Sequence, residues 1–156
     1  MKIGIIVIGD ELLIGQVTDT NSGDIARMIA PAGWQIGEVR TVHDDAEAIR
    51  RVIGEMMGLY DVVLSTGGLG PTKDDITKAT LQGIFGGEMY EDAGVLAHVE
   101  EVFRKRGLKM NSLTRGQAMV PDSCIVIPNA LGTAPVMWFE REGKVLVAMP
   151  GVPFDL

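Results

Sequence analysis

A glycine-rich segment, residues 67–75, has the composition of a phosphate-binding turn. Its sequence is Gly-Gly-Leu-Gly-Pro-Thr-Lys-Asp-Asp, and it lies between a predicted buried strand and a predicted helix. Glycine lets the backbone approach a ligand and turn its N–H groups towards it, and the start of a helix favours anions. The spacing fits neither the P-loop nor the dinucleotide fingerprint, in which Lys73 would take the place of the third glycine. We therefore predict a phosphate-binding turn, with a plain tight turn and an aspartate cap as the alternative.

Three pairs of adjacent carboxylates follow the first three predicted strands: Asp10-Glu11, Asp44-Asp45 and Asp74-Asp75. Each pair alone is typical of a helix cap or a solvated turn. Because parallel strands end at one edge of a sheet, we expect the three pairs to converge beside the glycine-rich segment. Carboxylates and phosphate oxygens are the usual ligands of Mg²⁺. The pairs therefore predict a divalent-cation site.

A second polar segment, residues 129–135, has the sequence Asn-Ala-Leu-Gly-Thr-Ala-Pro between two predicted strands. Its amide and hydroxyl groups can contact a ligand, and a plain connection is an equal alternative. His43, next to Asp44, is a candidate proton carrier, with an ordinary surface histidine as the alternative. We expect His98 to be structural and Cys124 to be a buried small apolar residue.

Strands and helices alternate through the first half of the chain, which predicts parallel strands with helices on both faces of the sheet. Asp44 and Glu47 have the spacing of a capping box, and Asn21 or Ser22 is a candidate cap for the first long helix. The predicted strands are 3–8, 34–42, 61–66, 124–127, 136–140 and 145–149, the last two forming a hairpin. The predicted helices begin near residues 22, 45 and 75, and a shorter one spans 113–119. A further predicted helix carries Val95, Val99, Val102, Phe103 and Arg106.

The composition indicates one globular domain, 1–156, with an acidic surface. The net charge is −7 and no run of Lys or Arg occurs, which argues against a nucleic-acid partner because such binding depends on neutralised phosphates. No apolar stretch approaches the ~18 residues of a membrane span, and the start of the chain lacks the pattern of a signal peptide. A single cysteine is consistent with a reducing compartment. We expect a cytoplasmic protein without a membrane partner.

An ordered set of motifs resembles the N-terminal domain of the CinA (competence/damage-inducible) proteins, which is similar to the wider MoaB/MogA molybdopterin-binding family. The most specific motif is residues 66–77, Thr-Gly-Gly-Leu-Gly-Pro-Thr-Lys-Asp-Asp-Ile-Thr. The other motifs are Gly9–Leu13, Asn21-Ser22, Asp44-Asp45, Asn129–Pro135 and Pro150–Pro153. The resemblance covers essentially the whole chain. It implies a three-layer α/β/α fold with a mostly parallel sheet, and a homo-oligomer.

The resemblance also implies an activity. In CinA-type domains it is metal-dependent hydrolysis of ADP-ribose to AMP and ribose 5-phosphate. The alternatives are a molybdopterin-binding or adenylyl-transfer module of molybdenum cofactor biosynthesis, and a non-catalytic ligand-binding domain. A separate C-terminal amidohydrolase domain is common in full-length CinA proteins; it is absent from this chain. We expect more protein to follow Leu156, where a helix is missing.

The family's functional residues are assigned only to positions of this sequence that match the family's motifs. Asp75 and Asp44 match functional aspartates and are the predicted catalytic residues. The predicted metal ligands are Asp74, Asp75, Asp44 and Glu11, for Mg²⁺ or a similar ion. The predicted ligand-binding residues are Thr66, Gly67, Gly68, Gly70, Thr72, Asn129, Gly132, Thr133, Pro150 and Gly151. One departure is Val136, which follows Pro135 where the family usually has glycine, and it puts the shape of the pocket in question.

Overall fold

A computed structural model describes residues 1–15, 18–69, 74–130 and 132–151 of the chain; the side chains of Glu11, Asp74 and Asp75 lie outside the description. The strands are β1 (Lys2–Ile8), β2 (Gln35–Val42), β3 (Val62–Thr66), β4 (Met89–Glu91), β5 (Met119–Pro121), β6 (Ile125–Ile127), β7 (Val136–Arg141) and β8 (Lys144–Met149). The α-helices are α1 (Asp10–Leu13), α2 (Asn21–Ile29), α3 (Ala46–Leu59), α4 (Asp74–Phe85), α5 (Ala93–Lys105) and α6 (Ser112–Arg115). Short 3₁₀ helices span Ala30–Ala32 and Gly116–Ala118.

The main sheet has six strands in the order β2-β1-β3-β8-β7-β6. The first four are parallel to one another, whereas β7 and β6 are antiparallel to their neighbours. This confirms the predicted α/β fold with a mostly parallel sheet. A separate two-stranded antiparallel ribbon, β4 with β5, was not predicted. β4 (Met-Tyr-Glu) and β5 (Met-Val-Pro) are short and lack the continuous apolar run by which β6 was predicted.

Helices cover both faces of the sheet, as the three-layer prediction requires. On one face Ile6 and Ile8 of β1 pack in a core with Ile53 and Met56 of α3 and Leu81 of α4. On the opposite face Ile3, Ile5 and Val7 pack with Ile25 of α2. Residues 3–8 of β1 are all buried because the strand has apolar neighbours on both sides, which explains its continuous apolar sequence.

Two predicted helix starts are wrong by one residue. Asp45, not Asp44, caps α3: its carboxylate accepts a hydrogen bond of 2.9 Å from the Ala48 amide. The residue before α2 is Thr20, and neither Asn21 nor Ser22 caps that helix. In each case neighbouring residues have capping side chains, and only the backbone conformation decides between them. Asp44 therefore does not cap α3.

Other boundaries agree with the predictions or shift slightly. The β7–β8 hairpin is confirmed, with Glu142 and Gly143 at positive φ in its turn. Trp34 lies just outside β2, and Cys124 is buried just before β6, as a small apolar residue would be. Within the described residues no helix is both long and apolar enough to cross a membrane.

Candidate functional site

The polar segments singled out in the sequence lie along one edge of the sheet. The parallel strands β1, β2, β3 and β8 end there, at Ile8, Val42, Thr66 and Met149. The connection from β6 to β7 reaches the same edge because β7 runs antiparallel to β8, with Met137 opposite Ala148. Ligands of open α/β sheets bind outside this carboxyl edge. The topology therefore places the predicted binding segments on the functional side of the fold.

The glycine turn, which we define as residues 67–69, fits tightly between β1, β8 and α4. Gly67 and Gly68 have φ of 93° and 74°, and the Gly67 amide donates to the Met149 carbonyl at 3.1 Å. A Cβ on Gly67 would lie 2.2 Å from the Ile8 carbonyl oxygen, and one on Gly68 would lie 2.4 Å from Oγ1 of Thr77. Both positions therefore require glycine, for conformation and for space.

The segment after β8 packs directly on this turn. A Cβ on Gly151 would lie 2.7 Å from Cα of Gly67. The side-chain amide of Asn21, at the start of α2, donates to the Gly151 carbonyl at 2.8 Å. The structure thus brings together four of the predicted ligand-binding residues, Thr66, Gly67, Gly68 and Gly151, with Pro150 buried between β8 and Gly151.

Buried polar atoms border the glycine turn. Oγ1 of Thr66, Oγ1 of Thr77 and Oε1 of Gln117 are buried and have no hydrogen-bond partner among the residues that the structure describes. Each of the three residues is only 1% exposed. Burying such atoms unpaired costs about 1–3 kcal/mol each, so proteins rarely do it without a partner from outside the chain. The cluster indicates a place prepared for a polar ligand or ordered water.

Lys78 is a buried cation near the same place, and sequence reasoning missed it. It is 2% exposed, and its Nζ lies 3.1 Å from the carbonyl oxygens of both Gly116 and Gln117. The Gln117 side chain in turn lies 3.5 Å from the carbonyl of Leu69 in the glycine turn. The sequence could have indicated Lys78 as a candidate site residue, because it directly follows the Asp-Asp-Ile-Thr motif on the same helix. No sequence motif includes Gln117, and only the tertiary fold shows that its side chain is buried.

Asp10 joins the ends of β1 and β2. Its Oδ1 lies 2.9 Å from Nδ1 of His43 and accepts a hydrogen bond of 3.0 Å from the Asp44 amide. His43 is exposed, whereas the Asp44 side chain is partly buried. The predicted convergence of the first two acidic pairs is therefore observed for Asp10 and Asp44. The contact joins the Asp44 backbone amide to the Asp10 carboxylate.

The predicted cation site lies mostly outside the described part of the chain. There, no group of three or more His, Cys, Asp or Glu residues is placed to share a metal ion. The side chains of Glu11, Asp74 and Asp75 are not described, and neither are Gly70 and Thr72. The described acidic residues Asp10 and Asp44 supply oxygen atoms of the kind that Mg²⁺ prefers. The metal ligands and the catalytic Asp75 remain predictions.

The remaining predicted ligand-binding residues lie further along the edge. Asn129, Gly132 and Thr133 belong to the β6–β7 connection, where the Asn129 side-chain amide donates to the Ala134 carbonyl at 2.9 Å. Nε2 of His98 on α5 lies 2.7 Å from the Gly132 carbonyl oxygen. Asn129 and Thr133 line a cavity against α5, separated from the glycine turn by β8 and β7. Val136 begins β7 as an ordinary strand residue opposite Ile127.

Sequence comparisons place the chain in a family. Residues 4–156 match the model of the family described as "Probable molybdopterin binding domain". A CinA-like protein of Cytophaga hutchinsonii is 45% identical over 97% of the chain, and one of Flavobacterium psychrophilum is 41% identical over all of it. The chain spans 36% and 38% of the length of these two relatives, respectively.

Solved structures agree with that placement. The crystal structure of the protein CinA from Thermoplasma acidophilum matches with a TM-score of 0.85 and 31% identity, covering 99% of this chain and 90% of the other. The molybdopterin biosynthesis enzyme MoaB from Thermus thermophilus matches with a TM-score of 0.62 and 19% identity, over 97% and 82% of the two chains, which shows a shared fold. The chain therefore belongs to the CinA-like proteins of the molybdopterin-binding domain family.

Proposed function

We propose that the chain is a metal-dependent pyrophosphatase that hydrolyses ADP-ribose or a related dinucleotide. The observation that carries the proposal is the cluster of buried polar atoms around the glycine turn, from Thr66, Thr77 and Gln117, which lack hydrogen-bond partners within the described part of the chain. Hydrolysis adds water across the P–O–P linkage: the water oxygen bonds to one phosphorus, and the bridging P–O bond breaks. The products of ADP-ribose are AMP and ribose 5-phosphate.

Phosphate recognition rests on the backbone and on one buried cation. The chain carries a net charge of −7, so its surface as a whole repels a polyphosphate. The glycine turn allows close approach of backbone, and α4 follows it with a helix N-terminus, which favours an anion. Lys78 lies on the same helix and adds positive charge. Its Nζ is held in place by hydrogen bonds to the carbonyl oxygens of Gly116 and Gln117. These features offset the repulsion locally.

The carboxylates are assigned to the metal. Asp75, with Asp74, Asp44 or Glu11, would hold Mg²⁺ or a similar ion. A bound divalent ion lowers the pKa of an attacking water and neutralises the charge that develops on phosphate oxygens. Asp10 positions the Asp44 backbone through the hydrogen bond from its amide, and it holds His43 beside the same strand end.

The direct test is AMP release from ADP-ribose by the purified chain, with and without Mg²⁺ or Mn²⁺. We expect metal-dependent release, and a loss of at least ~100-fold in kcat for Asp75→Asn, as when a group that stabilises the transition state is removed. The matched control is Asp61→Asn, an exposed aspartate that precedes β3 at the opposite edge of the sheet. Full activity of Asp75→Asn would disprove the assigned role.

A second candidate function is molybdopterin binding, with or without adenylyl transfer. The family description and the fold shared with MoaB favour it. It predicts tight pterin binding, and transfer of AMP to the pterin from magnesium-ATP in place of AMP release from ADP-ribose. A third candidate, a non-catalytic ligand-binding domain, predicts binding of the same compounds without turnover. Incubating the chain with molybdopterin and magnesium-ATP, and identifying the products by mass spectrometry, separates the three.

A further inference from the structure

Two side-chain amides contact the glycine turn and the segment that packs on it. Nδ2 of Asn21 donates to the Gly151 carbonyl at 2.8 Å, and Nε2 of Gln117 lies 3.5 Å from the Leu69 carbonyl oxygen. Asn21 begins α2 on one face of the sheet, whereas the Gln117 backbone pairs with Lys78 of α4, on the opposite face. Asn21 is 6% exposed and Gln117 1%. The turn is therefore flanked by a buried amide on each side.

These contacts fix which atom of each amide is left over. A carbonyl oxygen can only accept, so the side-chain nitrogen must face the main chain and the side-chain oxygen must point away from it. Oδ1 of Asn21 and Oε1 of Gln117 are both buried, and neither has a hydrogen-bond partner among the residues that the structure describes. An amide oxygen carries no hydrogen. What both positions lack is therefore a hydrogen-bond donor.

A phosphate group alone does not meet this requirement. Phosphate oxygens accept hydrogen bonds, so a phosphate at the turn can pair with backbone amides and with the hydroxyls of Thr66 and Thr77, which can donate. It would leave Oδ1 of Asn21 unpaired. A hydroxyl group on the carbon skeleton beside the phosphate would supply the missing donor. Sites built to pair a hydroxyl reject the analogue without it, because a buried polar atom is then left unpaired.

We propose that Asn21 is a specificity-determining residue, whose Oδ1 accepts a hydrogen bond from a hydroxyl group of the ligand while its Nδ2 holds Gly151 on the glycine turn. The structure excludes the helix cap that the sequence suggested for Asn21, so its buried amide needs another explanation. The ligand is then a phosphate with a hydroxyl close to it, as opposed to inorganic or alkyl phosphate. The inference rests on the proposed function, because it takes the glycine turn as the place where phosphate binds.

The test uses two small phosphates that differ in their hydroxyl groups, glycerol 3-phosphate and propyl phosphate. Each is titrated separately into the ¹⁵N-labelled chain, and the amide signals of Gly67, Gly68 and Gly151 report its Kd. We expect glycerol 3-phosphate to bind at least about tenfold more tightly, since only it can pair with Oδ1 of Asn21. Equal affinities would overturn the proposal, and so would a failure of both compounds to move these signals.

Substitutions at position 21 assign the preference to the amide oxygen. Asn21→Leu keeps a similar size but removes the acceptor, and it should bind both compounds with the same affinity; Asn21→Ala gives the same reading if the leucine variant does not fold. Asn21→Asp keeps an acceptor oxygen, so its preference for glycerol 3-phosphate should persist although its charge weakens binding of both compounds. An undiminished preference in Asn21→Leu or Asn21→Ala, or its loss in Asn21→Asp, contradicts the inference.

The matched control is Ser22→Ala, on the same turn of α2. The Ser22 hydroxyl donates to the Asp19 carboxylate at 2.6 Å, so its removal should leave the preference for glycerol 3-phosphate as in the wild type. Failure of this inference is distinguishable from failure of the proposed function. AMP release from ADP-ribose without any hydroxyl preference overturns the role of Asn21 alone. A preference that Asn21→Leu abolishes, in a chain that releases no AMP, overturns the hydrolase alone.

Discussion

Gly151 lies so close to Gly67 that a Cβ added to it would stand 2.7 Å from the Gly67 Cα. The segment after β8 therefore rests directly on the backbone of the glycine turn. The hydrogen bond from the Gly67 amide to Met149 holds the two segments in register. No larger residue at either position fits without moving the backbone, so the geometry of the turn depends on both glycines.

Gly67→Ala should destabilise the protein strongly. The new Cβ would lie 2.2 Å from the Ile8 carbonyl oxygen at a φ of 93°, and we expect a loss of about 3 kcal/mol or more in the free energy of unfolding. The control Gly15→Ala has a φ of 80° with nothing within 4 Å of the added Cβ, and it should cost only about 1 kcal/mol. Urea denaturation measures both; equal losses would show that packing at the turn is unimportant.

Asp44 and Asp45 should have separable roles. Asp45→Ala removes the cap of α3 and should cost about 1 kcal/mol of stability, with kcat for ADP-ribose unchanged. Asp44→Ala should reduce hydrolysis of ADP-ribose. Thermal unfolding and AMP release measured on the same preparations check the pair. The opposite pattern, in which Asp45→Ala loses activity and Asp44→Ala retains it, would transfer the functional role to Asp45.

Lys78→Met should weaken both the fold and phosphate binding. It removes the donor that pairs with the carbonyls of Gly116 and Gln117, and we expect a loss of about 2–3 kcal/mol. The affinity for ribose 5-phosphate should also fall, because a buried positive charge is lost. The control Lys105→Met removes an exposed lysine whose ion pair with Glu101 contributes about 0–1 kcal/mol. Wild-type stability of Lys78→Met in urea denaturation would show that the buried amine is dispensable.

Cys124 should resist modification in the folded protein. Burial raises the pKa of the Cys124 thiol from 9.0 to about 11, so little thiolate exists at pH 8. Reaction with a thiol reagent such as 5,5′-dithiobis(2-nitrobenzoate) at pH 8 should be far slower for the native chain than for the chain in guanidinium chloride. Equal rates would mean that the thiol is accessible and the burial assignment is wrong.

The same thiol predicts a pH dependence of stability. Because the folded state holds the proton more tightly than the unfolded state, this stabilising contribution is fully present below pH 9 and is lost as the pH rises towards 11. Unfolding free energies of the wild type and Cys124→Ala, compared between pH 8 and 11, isolate it. The wild type should lose stability more steeply; parallel slopes would contradict the prediction.

Several features of the fold were predictable because local sequence and tertiary environment agree. The continuous apolar sequence of β1 follows from its burial on both faces. The stripe Ile49, Val52, Ile53 and Met56 on α3 predicted a buried helix face, and all four residues are buried. The glycine turn was recognisable because positive φ and close backbone contact both exclude other residues. The segments that lie next to the glycine turn could also be predicted, because parallel strands end at the same edge of a sheet.

The choice between adjacent residues was not predictable. Asp44 and Asp45 have the same side chain, and the backbone at the end of β2 decides which of them caps α3. The ribbon strands β4 and β5 are three residues long and, unlike β6, have no continuous apolar run. The burial of Lys78 and Gln117 also escaped sequence reasoning, because the partners of both belong to other elements.

The sequence by itself determined the α/β class, the family and the segments that carry polar chemistry, since each of these depends on residue type and on spacing along the chain. Only the tertiary structure decided which atoms meet: Gly151 on Gly67, Thr77 beneath Gly68, and His98 against the β6–β7 connection beside its cavity. Such contacts join residues that are far apart in the chain. Their distances follow from how helices and strands pack together, a property that no local pattern contains.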